Sequence, residues 1–104
     1  MYFAMNRFHV AAGQEEAFEA VWKARDSSLS EMPDFIEFHL LRGDSVPDEG
    51  YTPFISKSVW KTKDAFVAWT KSDNFRAAHR NAGDNKAMYL GPPKFEGYTV
   101  VEGA

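Results

Sequence analysis

The feature that most constrains this 104-residue sequence is the order in which strand-type and helix-type segments follow one another. Residues 2–10 are rich in strand-forming side chains and end at an Ala-Ala-Gly turn, and residues 35–42 and 54–60 have the same character. Helical spacing runs from Gln14 to about Ser30 and stops before Pro33. Residues 94–102 predict a last strand.

A second helical region is predicted in two pieces. Thr62 suits the N-cap of a helix through Thr70, and Ser72-Asp73-Asn74 suits the cap of another from Asp73 to about Ala82. Residues 83–93 then form a predicted loop. On one straight helix, Trp69 and His79 would point in very different directions, because each residue turns by about 100°. The predicted break allows both side chains to face one space.

The order β-α-β-β-α-β predicts a single α+β domain over residues 1–104, of the ferredoxin-like type. A four-stranded antiparallel sheet carries both helices on one face, and residues 54–60 pair with residues 35–42 as a hairpin. Along the first strand, alternation places one set of side chains on the helix-covered face: Tyr2, Ala4, Asn6, Phe8 and Val10. Along the second strand, Ile36, Phe38 and Leu40 are expected on one side. The opposite face, with Phe3 and Met5, needs cover, so we expect a homodimer stacked sheet on sheet into a β-barrel.

Composition excludes several classes of function. A net charge of −3 argues against a nucleic-acid partner, and no apolar run is long enough for a membrane span, so a cytoplasmic location is expected. The absence of cysteine excludes disulfides, thiolate nucleophiles and cysteine-held metals. There is no glycine-rich phosphate loop and no flavin or nicotinamide fingerprint.

Three residues are candidates for chemistry on the basis of the residues alone: Asn6, Trp69 and His79. A buried amide such as Asn6 needs a hydrogen-bonding partner, for structure or for function. Trp69 has an alternative explanation as ordinary core and His79 as a surface residue between Arg76 and Arg80. Imidazole is nevertheless the commonest protein donor to haem iron, and no cysteine competes with it here. No histidine spacing suggests a non-haem metal site.

Several motifs resemble those of the IsdG-type haem-degrading monooxygenases, within the wider antibiotic-biosynthesis-monooxygenase group of dimeric ferredoxin-like proteins. They are Met-Asn-Arg-Phe at 5–8, Pro-Asp-Phe at 33–35, Val-Trp at 59–60 and Ala-Trp-Thr-Lys-Ser-Asp-Asn-Phe-Arg-Ala-Ala-His at 68–79. The resemblance covers nearly the whole chain. Asp34 stands where the family commonly has the glycine of a Pro-Gly-Phe motif. This difference concerns only the expected geometry of that turn.

The resemblance implies that haem is the substrate and lies between the sheet and the second helical region. His79 would be the axial ligand of the iron, Asn6 would hydrogen-bond a ligand on the distal side, and Trp69 would press on the ring. Trp22 would pack near the porphyrin, and Arg25 would make a polar contact or a contact with a propionate. Oxygen and an external electron donor or reductase would open the porphyrin and release iron, with no flavin or nicotinamide bound by this chain.

Two other functions stay open on the sequence. The first is a cofactor-free monooxygenase of a polycyclic aromatic substrate, in which Trp69 and Asn6 orient an oxidisable ring. The second is a haem-binding protein without enzymatic activity.

Overall fold

The computed structural model describes residues 1–25, 28–73, 75–76 and 88–104. Four strands form one antiparallel sheet in the order β2-β3-β1-β4: β1 (Tyr2–Ala11), β2 (Phe35–Arg42), β3 (Tyr51–Trp60) and β4 (Lys94–Thr99). Helices α1 (Glu15–Ala24) and α2 (Lys63–Thr70) pack on the sheet, and short 3-10 turns span Leu29–Glu31 and Pro47–Glu49. The ferredoxin-like α+β fold predicted from the sequence is confirmed.

Most element boundaries agree with the prediction, and the exceptions have local causes. Strand β4 ends at Thr99 and not at residue 102, because Thr99 pairs with Tyr2, the first residue of its partner β1. The first helix ends at Ala24 and not near Ser30, because Arg25 is extended and Ser28 takes a left-handed conformation. Strand β3 begins at Tyr51, three residues early, because it continues to pair with the end of β1. Of the helix predicted over 73–82, residues 73, 75 and 76 are described and are helical.

The two faces of the sheet were predicted correctly for β1 but only in part for β2. Along β1, the side chains of Tyr2, Ala4, Phe8 and Val10 are buried. In β2 the register shifts between Phe35 and Glu37, so Phe35 packs against the same core cluster as Phe38. Ile36 was expected on that side with Phe38 and Leu40, but it is 40% exposed, so its placement was wrong.

The hydrophobic core is divided into two clusters. One is centred on α1 and contains the buried residues Phe8, Val10, Phe18 and Phe54. The other is centred on α2 and contains Leu29, Trp60 and Trp69. Between them, the helix-facing sheet positions carry small or polar side chains, namely Ala4, Asn6, Ser56 and Ser58. The core therefore leaves a gap over the middle of the sheet. None of the described helices has the length and apolar character needed to span a membrane.

The packing of β4 against β1 can be tested at Gly97, which pairs with Ala4 of β1. A Cβ there would overlap the Tyr2 hydroxyl and lie 2.9 Å from Tyr2 Cζ. The buried Tyr2 ring packs on Phe66 with centroids 5.7 Å apart, so it cannot move aside freely. We expect Gly97→Ala to lower the free energy of unfolding by about 1–3 kcal/mol in urea titrations. An unchanged midpoint would contradict this packing, and exposed Glu102→Ala serves as a neutral control.

Candidate active site

A cavity of about 470 Å³ occupies the gap between the two core clusters. This volume falls within the range of roughly 300–1,000 Å³ that is usual for small-molecule sites. The sheet supplies its floor through Ala4, Asn6, Phe8, Phe38, Ser56, Ser58 and Phe95. The helices and the connecting segments supply walls that are largely aromatic: Phe18, Trp22, Arg25, Leu29, Phe66, Trp69, Thr70, Phe75, Tyr89 and Pro93.

Asn6 lies at the floor of this cavity, half-buried on β1 between Ala4 and Phe8. Its amide makes no hydrogen bond with any of the described residues. Its partners across the sheet are Ser56 on β3 and Phe95 on β4. The described residues therefore leave this half-buried amide available to a ligand or to water.

Trp69 forms part of the wall and part of the core. Its buried indole meets the Phe75 ring edge-on, with centroids 4.7 Å apart, and also packs on Trp60 at 5.9 Å. The predicted helix break after Trp69 is present: α2 ends at Thr70, and the Ser72 hydroxyl oxygen accepts a hydrogen bond from the Phe75 amide at 3.1 Å. This capping contact fixes where the next segment begins relative to Trp69.

Trp22 and Arg25 form a paired element at the end of α1. The Arg25 guanidinium lies 4.2 Å from the centre of the Trp22 ring, which stacks on Phe38 with centroids 5.8 Å apart. Arg25 forms no ion pair with any of the described residues. Burial lowers the pKa of Arg25 below its ordinary value, and the Tyr89 phenol opposes that shift, yet an arginine stays charged at neutral pH. The cavity wall thus holds a cation that is available to an anionic group.

The structure brings four of the five predicted site residues to this cavity: Asn6, Trp22, Arg25 and Trp69. His79 lies outside the described residues. Within residues 1–25, 28–73, 75–76 and 88–104, no group of three histidine, cysteine or acidic side chains could hold a metal ion.

Two serines of the cavity floor were not predicted from the sequence. Along the helix-facing side of β3, Ser56 and Ser58 stand between Phe54 and Trp60. Two small polar residues at positions that would otherwise fill a continuous core indicate a cavity, but only the pairing of β3 with β1 places them opposite Asn6 and Ala4.

Comparison with known proteins agrees with this architecture. The family model described as antibiotic biosynthesis monooxygenase matches residues 1–81. A search of curated proteins found no match.

Three solved structures illustrate the similarity of fold. One is an arginine-to-serine mutant of MhuD with two manganese protoporphyrin IX molecules bound per active site. It is 23% identical to this chain with a TM-score of 0.74, and the alignment covers 100% of this chain and 98% of the MhuD chain. SnoaB, a cofactor-independent oxygenase from Streptomyces nogalater, is 22% identical with a TM-score of 0.68, covering 97% and 93%. PA3566 from Pseudomonas aeruginosa is 15% identical with a TM-score of 0.68, covering 96% and 93%.

Proposed function

The chain belongs to the antibiotic biosynthesis monooxygenase family, and we propose that within it this protein is a haem-degrading monooxygenase. It takes haem as its substrate and opens the porphyrin with oxygen and electrons from an external donor, releasing iron. The observation that carries this proposal is the composition of the cavity, where aromatic walls surround the Asn6 amide and the Arg25 cation, neither of which has a polar partner among the described residues. A flat, apolar ring with carboxylate substituents complements these three features.

Each cavity residue has a role in this proposal. Bound haem supplies the iron that activates oxygen. Asn6 donates an amide N–H from the floor, Trp69 crowds one part of the ring, and Trp22 supports its edge. Arg25 holds a propionate through charge-assisted hydrogen bonds. The apolar walls exclude water, which strengthens each of these polar contacts.

His79 is proposed as the axial ligand on the grounds of the family resemblance. Titration with hemin, followed by the Soret band, tests this assignment together with binding. We expect a saturable Soret shift in the wild type, no such shift in His79→Ala, and an unaltered shift in His39→Ala, whose exposed imidazole lies on β2 beside Glu37. Equal Soret shifts in His79→Ala and the wild type would remove the ligand assignment.

Arg25 provides a test of which substrate groups are recognised. We expect the wild type to bind iron protoporphyrin IX about tenfold more tightly than its dimethyl ester, because only the free acid can pair with the guanidinium. Arg25→Gln should reduce that ratio to about one. Lys23→Gln removes the same charge from the solvent-facing side of α1 and should leave the ratio unchanged. An ester that binds the wild type as tightly as the acid would contradict the proposed contact.

A second candidate is a cofactor-free oxygenase of a polycyclic aromatic substrate. The similarity of fold to SnoaB favours this alternative, and an aromatic-walled cavity also suits a polycyclic phenol. Oxygen-electrode measurements with an anthrone-like phenol, run beside the hemin titration, separate the two functions. Oxygen uptake with the phenol and an unchanged hemin spectrum would favour the second candidate.

We also propose that the protein acts as a homodimer. Described residues leave the outer sheet face open to solvent, where Leu41 is 43% and Tyr98 51% exposed and Phe3 and Met5 are only partly covered. A second copy stacked on this face would bury them. Light scattering coupled to size exclusion should give twice the chain mass of 11.8 kDa, and a mass equal to one chain would count against the dimer.

A further inference from the structure

We propose that the hydroxyl of Ser56 is a second hydrogen-bonding group beside Asn6, and that together they hold a small polar ligand on the Asn6 side of bound haem. This inference rests on the proposed function and extends it to a residue outside the Asn, Trp and His set.

The two side chains are neighbours across the sheet. Asn6 on β1 pairs directly with Ser56 on β3. Directly paired residues of an antiparallel sheet have Cβ atoms about 4.5–5.5 Å apart on the same face. Both residues line the cavity, so their polar atoms can reach one ligand atom between them.

Ser56 also differs from the other buried polar side chains of the described residues. Thr52 donates to the Glu15 carboxylate at 2.9 Å, and Ser58 accepts from the Trp60 indole N–H at 3.0 Å. Ser56 is only 6% exposed, yet its hydroxyl has no hydrogen-bond partner among the described residues. Its oxygen is not one of the fully buried polar atoms that lack a partner among the described residues, so it reaches the surface of the cavity, where a ligand or an ordered water can bind it.

The chemistry of the pair points to a hydrogen-bond acceptor. The Asn6 amide offers two N–H donors and the Ser56 hydroxyl offers one O–H donor. Neither group is charged, the floor residues Ala4, Phe8 and Phe95 are apolar, and the hydroxyl of Ser58 is already bonded to the Trp60 indole. Converging neutral donors in an apolar setting suit a single oxygen atom or a small anion better than an extended polar group.

Fluoride binding to the ferric hemin complex tests the role of Ser56 without measuring turnover. Fluoride is a small acceptor that enters the coordination position opposite the axial ligand, and its binding is visible in the absorption spectrum. We expect Ser56→Ala to bind hemin within about twofold of the wild type and to bind fluoride about tenfold more weakly, as fits the loss of one hydrogen bond to a charged acceptor. Ser56→Thr, which keeps the hydroxyl, should recover most of the fluoride affinity.

Thr52→Val is the matched control, since it removes a buried hydroxyl from the same face of β3 outside the cavity. It should leave both affinities unchanged. If the wild type and Ser56→Ala both bind hemin and have equal affinities for fluoride, the inference about Ser56 is wrong and the proposed function is unaffected. A loss of hemin affinity in Ser56→Ala as large as its loss of fluoride affinity would also overturn it, by indicating a structural role. Failure of the wild type to bind hemin would overturn the proposed function and the inference with it.

Discussion

Asn6→Ala is expected to bind hemin about as tightly as the wild type and to degrade it at least about tenfold more slowly. The amide lies on the cavity floor and makes no hydrogen bond with any of the described residues, so its loss leaves none of their polar groups unpaired and fold stability should change little. A donor that acts mainly in the transition state affects rate more than binding. The measurement is the rate of Soret decay with ascorbate under saturating oxygen.

Asn6→Asp sharpens the test, because a carboxylate has a similar shape but no N–H to donate. It should be at least as slow as Asn6→Ala. Thermal melting of both variants checks that the fold is intact. Decay at the wild-type rate in Asn6→Ala would exclude Asn6 from the reaction.

Of the proposed variants, Trp60→Ala should lower the free energy of unfolding the most, by about 3–5 kcal/mol. The indole is fully buried, donates to Ser58 at 3.0 Å, and contacts the rings of Phe35 and Trp69 with centroids 5.4 and 5.9 Å away. Small domains are stable by only about 5–15 kcal/mol, so this variant should melt at least about 10 °C lower or fail to fold.

Trp60→Phe keeps most of the ring volume and should lose less stability, which keeps the test informative if the alanine variant does not fold. Val101→Ala, at a side chain that is 73% exposed, should change the stability by no more than about 0.5 kcal/mol. Circular dichroism in urea gives all three values. A loss below about 1 kcal/mol in Trp60→Ala would contradict the role of this residue as the anchor of the second core cluster.

The order of elements and the faces of β1 could be predicted because they depend on local periodicity. The alternation of buried side chains from Tyr2 to Val10 is present in the sequence itself. The side taken by Ile36 could not be predicted in this way, because it depends on a register shift that only the pairing of β2 with β3 reveals.

The end of α1 was missed for a related reason. Leu29 continues the helical spacing of the preceding residues, and it does reach the core. It does so from a 3-10 turn after an extended Arg25, because tertiary packing determines how the chain returns to the sheet. That early end leaves the Arg25 side chain at the cavity wall.

The residues singled out from the sequence that line the cavity are its unusual residues, and the ordinary residues of the cavity were not singled out. An asparagine in an apolar strand and a tryptophan before a helix break stand out in a sequence, and both line the cavity. A serine in a strand does not stand out, because its significance depends on the partner strand that places it opposite Asn6. Strand register is a long-range property, which is why Ser56 was recognised only in the structure.

We propose that the cavity between the two core clusters binds haem and that the protein destroys it. Mixing the purified protein with one equivalent of hemin and adding ascorbate in air, with catalase present, tests this claim in one cuvette. We expect a shifted Soret band on mixing, then its progressive loss after reductant is added, with iron released to a chelator such as ferrozine. A Soret band that shifts but persists would show binding without degradation, and a spectrum identical to that of free hemin would show that the cavity does not bind haem.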